Sequence, residues 1–191
     1  MLLKRFRAVD LARKVVGVGS VGPRCWAMLL LGRDGDDPLF LQVKEAGPSV
    51  LESVLGRSRL SSNGQRVVEG QRLMQAASDI FLGWTRGARD LDGGQRHLYV
   101  RQLRDWKTSL DVETVLPSGL TRYAAACGWT LARAHARSGD RIAIASYLGA
   151  GDRFDRAVTE FAAAYADLNE QDHRALEQAV TEGRVSALEG V

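Results

Sequence analysis

The period of the apolar residues changes near position 118, and that change constrains the fold more than any other feature of the chain. Before it, apolar residues come in short runs bounded by Gly, Asp and Pro; after it, they recur at helical spacing. This succession predicts an α+β protein whose sheet is built first and whose helices follow. Val15–Val18, Cys25–Leu31 (CWAMLLL) and Leu39–Lys44 (LFLQVK) read as strands, with a turn at Gly32–Pro38 and an exit at Pro48. Ser62 and Gln65 fit a capping box and predict a helix over Gln65–Ala77, with Gly70 as its weak point. Ile80–Thr85 and His97–Gln102 complete the set as two strands flanking the exposed loop GARDLDGGQ.

In the second half, Leu120, Tyr123, Ala124, Cys127, Leu131, Ala134 and His135 fall on one face of a helix. Gly139 stands where a left-handed C-terminal cap is expected. A second stripe, Phe154, Ala157, Val158, Phe161, Tyr165 and Leu168, starts from Asp152, and a short third helix is expected over Gln171–Thr181. The expected organisation is therefore a β-rich region over 1–102, a polar connecting segment over 103–117 and a helical region over 118–191.

At 191 residues, with 45% apolar and 26% charged, the chain is long enough to bury a core and too apolar for wholesale disorder. The net charge of +3 is not gathered into one basic run, which argues against nucleic acid as a partner. Cys25 and Cys127 form no CxxC pair, and His97, His135 and His173 are isolated, so no zinc spacing exists. Two lone cysteines predict reduced, buried thiols and a cytoplasmic setting. The first residues, MLLKRFRAVDLARK, are too charged for a signal peptide, and no apolar run reaches the roughly 20 residues of a membrane span.

Gly17-Val18-Gly19-Ser20-Val21-Gly22 satisfies G-x-G-x-x-G. Three settings use this pattern: a dinucleotide-binding turn that opens a helix, a hairpin that folds over phosphates in a kinase-like lobe, and a glycine-rich hairpin with no ligand. Pro23 and the strand-like run Cys25–Leu31 follow it, which speaks against the first. Lys44 ends an apolar strand, where a kinase-like lobe places the lysine that neutralises the α- and β-phosphates. Glu69, on the next helix, is its expected partner; a solvated lysine beside Glu45, and a Glu69 paired with Arg66 or Arg72, are the structural alternatives. The order of glycine hairpin, strand, lysine strand, glutamate helix and two strands predicts a small antiparallel sheet with one packed helix, a kinase-like N-lobe, followed by a helical subdomain. The candidate nucleotide-binding residues are Gly17, Gly19, Ser20, Gly22, Lys44 and Glu69, with ATP and magnesium as the expected ligands.

The rest of a phosphotransfer apparatus is missing. His135-Ala136-Arg137-Ser138-Gly139-Asp140 carries a histidine and an aspartate, but Ala145 stands where a metal-ligating asparagine belongs, and no Asp-Phe-Gly follows. His135 lies on an apolar stripe and is expected to pack in a core; Asp140 is expected to cap the next helix. There is no GxSxG, no HExxH and no Walker lysine. Trp84, Trp106 and Trp129 lie on different elements and read as core or interface residues rather than a base-stacking platform.

Several long blocks together resemble a known family: VVGVGSVG at Val15–Gly22, DPLFLQVKEA at Asp37–Ala46, GQRVVEGQRLMQAASDIFLGW at Gly64–Trp84, YVRQLRDWK at Tyr99–Lys107 and LARAHARSGD at Leu131–Asp140. They resemble the C-terminal part of the bacterial domain of unknown function 2252 family, over nearly the whole chain. The resemblance implies no established reaction. It does imply longer relatives, whose N-terminal GDxHxxNFG-like and DFD-like segments look like a catalytic loop and magnesium ligands in a permuted kinase-like order. Neither segment occurs here, and Arg24 stands where a kinase-like lobe has a valine over the adenine.

The first functional expectation is thus the nucleotide-binding part of a kinase-like phosphotransferase, inactive alone and active only if a partner chain or an N-terminal segment supplies the acidic residues. A non-catalytic binding or regulatory module without nucleotide is the alternative, and a nucleic-acid-binding module using the scattered arginines is the weaker third.

Overall fold

The computed structural model describes residues 2–14, 23–89, 94–104 and 109–187. It divides into two compact units, Met1–Gly139 and Asp140–Val191. The first holds β1 (Arg7–Arg13), β2 (Cys25–Leu31), β3 (Pro38–Glu45), the single turn α1 (Glu52–Leu55), α2 (Asn63–Met74), β4 (Gly83–Arg89), β5 (Gln95–Gln102) and α3 (Pro117–Ser138). The second holds α4 (Arg141–Leu148) and α5 (Arg153–Thr181). This is the α+β protein that the change of period predicts. The polar segment 103–117 runs between β5 and α3, both within the first unit.

The five strands form one antiparallel sheet in the order β1-β2-β3-β5-β4. β3 is central, and its alternation shows why LFLQVK is so apolar. Leu39, Leu41 and Val43 are all buried on one face, where Leu39 and Leu41 join Leu30 and Phe81 in the core. Gln42, on the other face, is also buried. Phe6 and Phe81 close the core edge to face at a centroid separation of 6.4 Å.

The helix α2 starts where the capping residues place it: the Ser62 hydroxyl accepts from the Gln65 backbone N–H at 3.4 Å. Its first turn is docked on β5. The Asn63 backbone N–H donates to Nδ1 of His97 at 2.9 Å, and a Cβ added to Gly64 would lie 2.9 Å from the Leu98 carbonyl carbon and closer still to its oxygen. Only glycine allows that approach. Because side chains alternate along a strand, the face of β5 that carries His97 also carries Tyr99 and Arg101. Through the β3–β5 register this is the face of Lys44 and Gln42.

Three expectations need correction, and one falls outside the described residues. The first strand is Arg7–Arg13; the predicted strand at Val15–Val18 lies outside the described residues. β4 begins at Gly83 rather than Ile80. The apolar Phe81 and Leu82 are buried in a turn, where Asp79 Oδ1 accepts from the Phe81 N–H at 2.8 Å, so their hydrophobicity plugs the core end instead of building a strand. Gly139 closes α3 at φ −124°, extended rather than left-handed. The expected third helix over Gln171–Thr181 is the continuation of α5, a single helix of 29 residues, since nothing between Leu168 and Gln171 breaks it.

In the second unit, Asp140 caps α4 as predicted, its Oδ1 accepting from Ile142 and Ala143 at 2.9 and 3.1 Å. Tyr147 and Phe154 meet edge to face across the turn into α5. No helix among the described residues is long and apolar enough to cross a membrane.

Candidate functional site

The face of the sheet under α2 concentrates the polar chemistry of the first unit. Lys44 is the second-last residue of β3, opposite Cys25 on β2 and Tyr99 on β5. It is partly buried. Cys25 opens β2, where the Lys14 N–H donates to its carbonyl at 2.8 Å and Arg13 pairs with Trp26. Lys44 therefore stands at the end of the sheet where the connection between β1 and β2 returns. That connection contains Gly17, Gly19, Ser20 and Gly22, which lie outside the described residues.

Lys44 and Glu69 are not joined: among the described residues no ion pair links them. Glu69 is on the exposed side of α2, and its Oε1 lies 3.8 Å from Nη1 of Arg72, one turn on. The neighbouring Glu45 makes the closer contact. Its carboxylate meets Nη1 of Arg96 at 2.7 Å, with both side chains largely shielded, and accepts from the Arg24 backbone N–H at 3.2 Å. This pair staples the start of β2 to β3 and β5. Sequence reading missed it because Glu45 and Arg96 lie 51 residues apart.

Two residues along the same face, Gln42 is held on both sides. Its Nε2 donates to Sγ of Cys25 at 3.5 Å, and its Oε1 accepts from Nε of Arg101 at 3.0 Å. A buried amide needs such partners, since leaving one unmet costs about 1–3 kcal/mol. Tyr99, opposite Lys44, is two residues along β5 from Arg101 on the same face. Burial pushes its phenol above the ordinary value of 10.0; the Cys25 thiol adds to the rise and the Arg101 guanidinium opposes it. The folded state thus keeps its proton at a pH where the unfolded chain loses it. Stability is fully present below pH 10 and falls as pH rises through the folded pKa. In Tyr99→Phe, denaturant titrations are expected to show a shallower loss of stability above pH 10 than in the parent. An identical slope would remove Tyr99 as its source.

The remaining candidates separate. His135, expected to be packed in a core, is exposed on the last turn of α3. The stripe it belongs to is open as well: Tyr123 is 50% and Leu131 59% exposed. The apolar periodicity is real, but the end of α2 reaches α3 only around Leu131 and Ala134, and most of that face is left exposed. Asp140 is engaged as the α4 cap, which leaves the His135–Asp140 segment as a helix end and a helix start. Cys25 is buried, Cys127 partly so, and both are free thiols. Trp129 is exposed with the Arg133 guanidinium 4.6 Å from its ring centre; Trp84 is only partly covered, and Trp106 lies outside the described residues. Among the described residues no three His, Cys, Asp or Glu side chains converge as a metal site.

A family model described as "uncharacterized protein conserved in bacteria", domain of unknown function 2252, matches residues 1–179. The chain belongs to that family. No curated protein and no solved structure matches it.

Proposed function

We propose that this member of the domain of unknown function 2252 family is the nucleotide-holding part of a kinase-like phosphotransferase, with the catalytic loop contributed from outside these 191 residues. The observation that carries the reading is the position of Lys44. It sits on the central strand, on the face that α2 covers, and at the sheet end where the glycine-bearing connection between β1 and β2 returns. A lysine so placed can reach phosphates lying under a glycine-rich hairpin, whose bare backbone N–H groups approach them closely. Lys44 and the backbone of Gly17, Gly19, Ser20 and Gly22 are the residues assigned to ATP; Glu69, turned toward Arg72, is left out of the set.

Lys44 suits that role because no described carboxylate is ion-paired with it. Magnesium, when bound, supplies neutralisation of the phosphate charge. The described residues do not fit it, since no acidic cluster lies near Lys44. Its ligands are assigned, with the catalytic loop, to the part outside this chain. A second reading, a non-catalytic regulatory module, is favoured by one observation: Glu69 faces Arg72 rather than Lys44.

The test is a thermal-shift titration with ATP, with and without magnesium, on the chain and on Lys44→Ala. A ligand that binds only the folded state stabilises it by about 2.7 kcal/mol at a hundred times its Kd. The expected outcome is a rise in Tm that the folded mutant loses. No shift at millimolar ATP sinks binding by this chain and leaves the second reading.

A further inference from the structure

A cleft of about 210 Å³ lies between the C-terminal half of α2 and the end of β5, further along the Lys44 face and not used by the nucleotide reading. Its walls carry Arg101 and Arg104 on the sheet side and Gln71 and Gln75 on the helix side, with Gln42 and Asp79. Three features make it a built site rather than a surface dip.

Arg101 is held. Its Nε donates to Oε1 of Gln42, which is only 9% exposed and is anchored in turn on Cys25. That bond fixes the guanidinium and leaves its two terminal nitrogens without a hydrogen bond to any other described residue. Asp79, the one carboxylate among the described lining residues, is already committed: Oδ1 accepts from the Phe81 N–H and Oδ2 from the Gln102 N–H. It forms no ion pair with Arg101 or Arg104, and the described lining carries one more positive than negative charge. Finally, Gln71 on α2 and Gln75, the residue that caps its C-terminal end, both line the cleft and supply amide donors from the opposite wall.

We propose that this cleft binds a phosphate group. Donors on two facing walls suit a tetrahedral oxyanion, whose oxygens point in several directions; a planar carboxylate satisfies one arginine fork and leaves the far wall unmet. The volume falls below the roughly 300–1,000 Å³ of sites that enclose a drug-sized ligand, so the group recognised is a phosphate and not a whole nucleotide. The site stands independently of the nucleotide reading, because none of its lining groups is Lys44 or a hairpin glycine.

The probe is inorganic phosphate, titrated by calorimetry and by the side-chain amide signals of the glutamines, against chloride and acetate at equal ionic strength. Phosphate is expected to bind and to shift those signals, with chloride and acetate giving no comparable response. Arg101→Gln is expected to weaken binding on the order of tenfold or more, as loss of a charge-assisted pair does. Arg104→Gln, an exposed change that leaves the Gln42 network intact, weakens it in the same direction and covers the case in which Arg101→Gln fails to fold. Lys44→Ala leaves it unchanged. A phosphate response equalled by chloride or acetate, or kept in both folded arginine variants, overturns the assignment. So does one lost in Lys44→Ala alone, which would move the anion to the nucleotide site.

Discussion

Leu41→Ala is expected to destabilise the first unit by about 2–5 kcal/mol, the range for truncating a fully buried leucine. Leu41 is 2% exposed on the central strand, bonded to β2 on one side and β5 on the other, and it joins Leu30, Leu39 and Phe81 in the core. The loss has two parts. The removed methyl groups forfeit their transfer free energy, and a sheet paired on both sides of the site cannot collapse into the space left behind. Urea denaturation followed by far-ultraviolet circular dichroism gives the number. Phe40→Ala is the control: Phe40 is one residue away on the opposite face and 42% exposed, so it should cost distinctly less although more atoms are removed. Equal costs would mean that Leu41 and Phe40 do not differ in burial as described.

The same strand shows what was legible beforehand. Cys25–Leu31 is an unbroken apolar run and Leu39–Val43 is broken only by Gln42, both between strong turn residues, and the next-to-central and central strands sit there. β1 was not legible. Its seven residues are all exposed, it joins the sheet through backbone bonds to β2 with an irregularity between Ala8 and Asp10, and RAVDLAR offers no buried face to betray it. Ile80–Leu82 misleads in the opposite sense, being apolar because a turn is buried.

The site was legible only as single positions. Lys44 could be placed because strand and punctuation bracket it. The clamp of Cys25, Gln42 and Arg101 could not, because its members are 17 and 59 residues apart and meet only through sheet register. His135 marks a different limit. Periodicity says which side of a helix is apolar, and it is silent on whether anything covers that side.

The sharpest test of how α2 is seated uses one substitution at two places in the same helix. Gly70→Ala adds a methyl group with nothing within 4 Å, at a backbone that is not left-handed. It should stabilise by about 0.5–1 kcal/mol, because alanine loses less conformational freedom on entering a helix. Gly64→Ala gains the same helical propensity, but its methyl group meets the backbone of Leu98, which no rotamer change can clear. To admit it, α2 must lift from β5, and the Asn63 bond to His97 stretches with it. The expected net cost is about 1–3 kcal/mol, as for other overpacked sites. Opposite signs from chemically identical changes, measured by denaturation on the same chain, isolate docking from propensity. Two stabilising results would mean that α2 does not rest on β5 as described. Because Gln71 and Gln75 ride on that helix, Gly64→Ala should also weaken the response to inorganic phosphate, although it replaces no residue in the cleft, whereas Gly70→Ala should leave it intact.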